Sequence, residues 1–258
     1  MSRGTSSTVA KALQVLEALA KAPGTDRGVT ELAKELGWSK SVIHVLLNTL
    51  VLHGFAEYDE DSRRYRLGMK ILTLASRIDL DRELRRLATP VMMELTDKTG
   101  EASFLMVSTG THARTVARVL TDQPLRVSME VGTLTSLTAG ASGKLLLAYM
   151  DPEKVEVIVR RAFPEPGTPA EQKLLDELAQ IKRRGYAYSE SEAVQGMYGL
   201  GVPVFGPDDT AVASLSIAGP VGDIPGRVPD LVPVLLEHAA RISQRLGYAG
   251  RAEEAEGN

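Results

Sequence analysis

The chain of 258 residues contains no cysteine, which excludes disulfides and thiolate metal sites. That absence agrees with a reducing compartment, and the cytoplasm is the expected location. No apolar run reaches the roughly 18 residues that a membrane helix needs, and no charged-then-apolar leader opens the chain. Neither a membrane span nor a signal peptide is therefore expected. An excess of positive charge is also missing, because 30 Lys and Arg stand against 33 Asp and Glu for a net charge of −3. This argues against general coating of nucleic acid. It leaves site-specific DNA binding open, since affinity follows the local clustering of cations.

Histidine is scarce, and His44, His53, His112 and His238 are widely scattered. No HExxH, no paired histidine–carboxylate spacing and no G-x-S-x-G elbow accompanies them, so familiar hydrolase chemistry lacks its residues. No metal or other cofactor is expected, and an enzyme of unfamiliar site geometry is a remote alternative. The stretch Thr138-Ala139-Gly140-Ala141-Ser142-Gly143-Lys144 ends like a phosphate loop. However, Thr138 stands where the first glycine belongs and Leu145 where a hydroxyl would meet magnesium, so no nucleotide triphosphatase is expected. The stretch does offer small residues opening a helix, whose backbone N–H groups can cradle a carboxylate or another electron-rich group. Small residues there would equally serve close packing.

What is present is organised around Thr30 to Leu50. Leu32, Ala33 and Leu36 form the stripe of one short helix that Gly37 ends. Ser39 is placed to cap a second helix with Ile43, Leu46, Leu47 and Leu50 at helical spacing. Two helices across a glycine turn make a helix-turn-helix, with Lys40, Ser41, His44 and Asn48 on the outer face. These side chains suit phosphates or base edges. Val45 falls beside His44 and can pack on a thymine methyl, whereas Val42 can turn inward. After His53-Gly54-Phe55, the strands Ala56–Tyr58 and Arg63–Gly68 flank the acidic turn Asp59–Ser62 and predict a wing. Arg63 and Arg64 could clamp phosphate beside it.

Met1 to Ser7 reads as a loose arm, and a helix carrying Val9, Leu13, Leu16 and Ala20 would stop at Pro23-Gly24. Met69–Ile78 is helical, and a second helix from about Arg82 to Lys98 should kink at Pro90. The expected domain boundary lies near Ile78, in a stiff helical linker that can transmit movement. Beyond it, short strands are expected at 103–107, 113–117, 125–129, 186–189, 201–205 and 211–217, the last two joined at Gly206–Asp209. Helices are expected at 142–149, 152–160, from a Thr168 cap to Gly185, and at 230–246. Strands with helices on one face make an α+β sensor domain.

The run from Ser6 to Lys70, notably LAKELGWSKSVIHVLLNTL and RRYRLGMKIL, resembles the winged helix-turn-helix of IclR-type transcriptional regulators. The similarity continues through TPVMMELTDKTGEASFL, GTLTSLTAGASGKLLLAYM, IKRRGYAYSESEAVQGMYGLGVPV and ASLSIAGP, nearly the whole chain. It implies two domains: an all-α winged helix-turn-helix with a β-hairpin wing (1–68), then a helical linker (69–82). A GAF-like α+β effector-binding and oligomerisation domain (83–248) and a disordered acidic tail (249–258) follow. It also implies dimer contacts through the N-terminal helix, and DNA contacts from Ser39, Lys40, Ser41, His44, Val45, Asn48, Arg63 and Arg64.

The resemblance places an effector pocket at Ala139, Gly140, Ala141, Ser189, Gly199, Ser216 and Ala218, with Leu105, Met129 and Tyr198 as walls. Thr138 stands where many members have histidine, Ser189 replaces an acidic residue, and Gly199 and Ala218 replace polar ones. Fewer polar groups imply a larger or less polar ligand, such as an aromatic or hydrophobic acid. In the recognition helix, Val42 and Val45 stand where members often carry threonine and arginine, which removes a guanine contact.

The expected function is thus a ligand-responsive regulator that binds palindromic operator DNA as a homodimer or dimer of dimers. Repression is the default that the resemblance implies, with activation or dual action as alternatives. A purely architectural DNA-binding protein would not need the large second domain.

Overall fold

The computed structural model describes residues 6–21, 26–77, 79–222 and 224–250. Pro23-Gly24, Ile78, the first five residues of the expected arm and residues 251–258 of the expected tail lie outside the described residues. The chain divides into two compact units, Met1–Asp79 and Leu80–Asn258.

In the first unit, α1 (Ser7–Ala20), α2 (Val29–Leu36) and α3 (Lys40–Leu52) precede a hairpin of β1 (Ala56–Asp59) and β2 (Arg64–Leu67). Local chemistry sets the helix ends. The Ser6 hydroxyl accepts from Val9 N–H, the Ser39 hydroxyl accepts from Val42 N–H, and Gly37 takes a left-handed φ of 70°. Leu32 of α2, Ile43 and Leu47 of α3, and Val15 of α1 are fully buried together, with Tyr65 of the wing closing the core. Each such aliphatic side chain contributes about 1.5–3 kcal/mol by leaving water. Val42 is half-buried against this core. In the wing, Ala56 pairs with Leu67 and Asp59 with Arg64, while Arg27 bridges Tyr65 from outside. A short helix, α4 (Lys70–Ala75), ends the unit.

The second unit is a six-stranded antiparallel sheet of order β5-β4-β3-β8-β7-β6. Its strands are β3 (Ala102–Thr109), β4 (His112–Val119), β5 (Leu134–Ser136), β6 (Ala187–Glu190), β7 (Met197–Phe205) and β8 (Ala211–Pro220). Helices cover both faces rather than one. α5 (Leu80–Thr99) and α9 (Ile224–Arg245) bury Val91, Leu95, Leu235 and Ile242 on one side, against Leu105, Leu200, Leu215 and Ile217. α6 (Ala141–Ala148), α7 (Pro152–Ala162) and α8 (Pro169–Arg184) bury Leu145, Ile158 and Ile181 on the other, with Phe104 and Met106. A sheet covered twice has near-continuous apolar strands, and this is why Phe104-Leu105-Met106-Val107 shows no alternation.

Other expectations shift for identifiable reasons. Residues 125–129 form no strand. The place beside β4 is taken by Thr133–Ser136, where Thr115 N–H donates to Thr133 and Gly132 N–H to Thr115. α5 begins at Leu80 and runs through Pro90 to Thr99. α9 starts at Ile224 and contains Pro229 and Pro233. All three prolines are exposed, so the ladder bonds they cannot make fall on the solvent side, where water can substitute.

Candidate functional site

The outer face of α3 is continuous and open. Lys40, Ser41, His44, Val45 and Asn48 are all exposed, Val45 at 65%, while Ile43 and Leu47 anchor the opposite face at 0%. A helix pinned by its buried side in this way presents its other side rigidly. The Asn48 amide and His44 Nδ1 lie 3.1 Å apart, and the Ser39 and Ser41 hydroxyls 3.0 Å, so the face is pre-ordered by local bonds. Thr49, which the spacing argument passed over, shares the face but donates its hydroxyl to the Val45 carbonyl at 2.9 Å.

The two wing arginines part company. Arg63 sits at the turn, exposed, with φ of 56°, a left-handed conformation unusual for a side chain with a Cβ. Arg64 instead donates from Nε to the Asp26 carbonyl at 2.7 Å and from Nη2 to both Glu31 oxygens at 2.7 and 2.9 Å. It braces the wing against α2. Glu31 also accepts from Gly28 N–H, and that bond together with Arg64 holds its carboxyl below the ordinary range.

In the second unit, β-register builds a pocket. Ser189, Gly199 and Ala218 lie in one row across β6, β7 and β8, and Gly201, Ser216 and Phe104 in the next. The start of α6 rests on these rows because the glycines permit it. A Cβ on Gly199 would lie 3.3 Å from Cβ of Ala141, and one on Gly201 3.8 Å from the carbonyl carbon of Ala141. The cavity between holds about 80 Å³. Met129, Ala139, Gly140, Ala141, Ser189, Tyr198, Gly199, Ser216 and Ala218 all border it. Leu105 does not. Strand alternation turns it into the α5/α9 layer, and its neighbours Phe104 and Met106 face the pocket instead. The Tyr198 side chain also packs with the α5/α9 layer, although the residue borders the cavity.

No charged side chain lines this cavity. Several of its polar groups are already engaged within the chain. Ala141 N–H donates to the Ser189 hydroxyl at 2.9 Å, the Ser142 hydroxyl to that of Ser216 at 2.8 Å, and Gly140 N–H to Glu192 Oε2 at 3.0 Å. One turn on, Lys144 is 1% exposed, and its ammonium donates to Glu192 Oε1 at 2.7 Å and Glu177 Oε1 at 2.5 Å. Sequence reading names Lys144 only as the end of the phosphate-loop-like stretch and does not name Glu192, because nothing in their spacing announces that the fold joins them. A wider groove of about 700 Å³ runs between α7 and α8, past Pro152, Phe163 and Leu175, and brings none of these groups together. Among the described residues no cluster of His, Asp and Glu could hold a metal ion, and no helix is long and apolar enough to cross a membrane.

Residues 79–244 match the family model described as the bacterial transcriptional regulator IclR C-terminal domain, and residues 8–60 match the IclR helix-turn-helix domain. The chain belongs to the IclR family. Its N-terminal unit is that family's DNA-binding module, its α+β unit fits a GAF-like description, and the family consists of transcriptional regulators rather than enzymes. Among IclR-family relatives, the HTH-type transcriptional regulator XynR of Escherichia coli is 28% identical, covering 93% of this chain and 97% of XynR. The transcriptional repressor IclR of Escherichia coli is 25% identical over 94% of this chain and 90% of its own. An IclR homologue from Microbacterium hydrocarbonoxydans, solved in complex with 4-hydroxybenzoate, superposes with a TM-score of 0.59 at 25% identity, covering 93% and 99%.

Proposed function

We propose that this protein is a cytoplasmic, ligand-responsive repressor that binds a palindromic operator as a homodimer or dimer of dimers. α3 enters the major groove, where Lys40 and Ser41 meet phosphate while His44, Val45 and Asn48 face base edges. Ser39 caps the helix at the groove's edge, and Arg63 reaches the backbone beside it. Arg64 supports the wing from behind. The observation that carries this reading is the ordered, exposed outer face of α3, held by a fully buried inner face.

The effector is a small, largely apolar organic acid, taken up between the start of α6 and the rows of β6, β7 and β8. Two facts support this choice: the uncharged, methionine- and alanine-rich lining, and the aromatic acid bound by the Microbacterium homologue. A dicarboxylate found in this pocket would overturn it. Binding acts on the DNA-binding domain (1–68) from the effector domain (83–248) through segment 69–82, which carries α4 and the start of α5. The effector must favour one arrangement of the reading heads over another, because equal affinity for both would shift nothing.

Mobility shift of DNA upstream of the protein's own reading frame, at fixed salt and with random competitor, tests the reading. A specific shift weakened by Lys40→Ala combined with Asn48→Ala is expected. Sequence-blind, purely salt-dependent binding, or no binding to any operator fragment, would overturn it.

A further inference from the structure

α3 carries one contact that adds little to the fold. The Asn48 amide nitrogen lies 3.1 Å from Nδ1 of His44, one turn earlier, and both side chains are exposed on the outer face. The helix is secured without them, because Ser39 caps its start and Ile43, Leu46, Leu47 and Leu50 are buried on its inner side. An exposed bond between side chains one turn apart contributes little to helix stability.

The bond decides what the two side chains offer outward. With the amide nitrogen turned to the ring, Nδ1 is the acceptor, and a neutral imidazole then carries its proton on Nε2. His44 thus presents a donor. Asn48 gives one N–H to the ring and keeps its oxygen and its second N–H, an acceptor and a donor. Turning the amide over would set its oxygen against the Nδ1 lone pair, so neither group reverses unless the other does. A lone asparagine has no such restraint, since one rotation exchanges its oxygen and nitrogen.

The neighbours leave this edge clear. Thr49 turns its hydroxyl back to the Val45 carbonyl at 2.9 Å, and the Ser41 hydroxyl pairs with that of Ser39 at 3.0 Å. Val45, 65% exposed, brings only methyl groups. α3 contains no acidic residue, so nothing on the helix itself repels the phosphates that flank a base edge.

We propose that His44 and Asn48 read two neighbouring bases as a unit. Asn48 meets an adenine, whose N6–H and N7 match its oxygen and N–H. His44 donates from Nε2 to a guanine, whose major-groove edge carries only acceptors. Each side chain holds the other in the orientation that its base requires. Guanine in place of the adenine would set O6 against the amide oxygen, and cytosine in place of the guanine would set a donor against a donor. The proposal rests on the reading of α3 as the helix in the major groove. It goes beyond that reading in naming the bases and in making the two contacts depend on each other.

Selection of bound duplexes by the full-length protein tests this, from a library randomised over about 30 base pairs, room for two half-sites a helical turn apart. Wild type should enrich half-sites with an adenine and a guanine on neighbouring base pairs. Asn48→Ala should lose about tenfold of the adenine preference. His44→Ala should lose the guanine preference and, with Asn48 intact, also cut the adenine preference about threefold, because an unheld amide must be ordered on binding. In the double variant the adenine preference should equal that of Asn48→Ala. Both residues are exposed, so all variants should melt with wild type. Replacing the adenine by 7-deazaadenine, which lacks the N7 acceptor, should weaken wild type about tenfold and leave Asn48→Ala unchanged. An adenine preference that survives His44→Ala in full would overturn the unit. Wild-type binding indifferent to 7-deazaadenine, or enriched half-sites without the adenine, would overturn the base assignment. These outcomes leave the reading of α3 intact, whereas failure of wild type to enrich any sequence would overturn that reading and the proposal together.

Discussion

A methyl group placed on Gly68 would lie 2.3 Å from the carbonyl oxygen of Gly54. The two glycines mark where the chain leaving the wing crosses the chain leaving α3. Gly68 N–H donates to the Phe55 carbonyl at 2.8 Å, Lys70 N–H donates to that of Gly54, and Gly54 itself has a φ of 76°. The contact is backbone on backbone, so no side chain can swing aside. Gly68→Ala should destabilise the N-terminal unit by about 2 kcal/mol or more, read as a lower denaturation midpoint for that unit. The melting of the effector unit should be unchanged.

The divergent roles of Arg63 and Arg64 give a second expectation. Arg63→Ala should weaken DNA binding of every sequence alike and reduce the slope of log affinity against log salt by about one. Its melting temperature should match wild type. Arg64→Ala should lower the melting temperature instead, because the wing loses its brace to Glu31 and the Asp26 carbonyl. Mobility shift over a salt series, beside thermal melts of the same samples, separates the two.

Acid should loosen the start of α5. Arg114 donates to both Asp81 oxygens at 2.7 and 3.1 Å, which holds that carboxyl below its ordinary value of 3.8. Because the folded value lies below the unfolded one, the stabilisation is complete above the unfolded pKa and is lost as pH falls through the folded one. Both partners are partly exposed, so solvent screening limits the pair to about 1 kcal/mol. Asp81→Asn should therefore be less stable than wild type at pH 7, and the two should converge in strong acid. Denaturation midpoints across a pH series would show it.

Ala218→Leu should fill the pocket from β8 without meeting the sheet's other face. Binding of 4-hydroxybenzoate should fall at least about tenfold, as expected when a ligand's space is taken by a fixed side chain. Operator binding without ligand should persist. Loss of DNA binding together with ligand binding would show instead that the substitution disrupts the domain.

Much of the first unit was legible because its signals are local. Gly37, Ser39 and the spacing of Ile43, Leu46, Leu47 and Leu50 define α2, α3 and their inner faces within a few turns. The pocket was legible only in part. The resemblance points to the small-residue loop and to Ser189, Gly199 and Ser216, all of which border the cavity. The side of β3 that faces the cavity was not, because a strand buried on both faces carries no alternation to read. Sequence points to Leu105 as a wall, whereas Phe104 and Met106 border the cavity. Glu192 and Lys144 lie 48 residues apart, and a bond of that separation exists only once β6, β7 and α6 have been assembled. The bond from Arg64 to Glu31 escapes sequence reading for the same reason, since Glu31 lies 33 residues earlier.

Among the described residues, the core of the N-terminal unit is made of its own side chains, and so are both cores of the effector unit. Drift on the surface of α3 therefore requires no matching change around the cavity. A descendant of this protein can come to govern a different promoter while answering to the same molecule, or keep its promoter and change its diet.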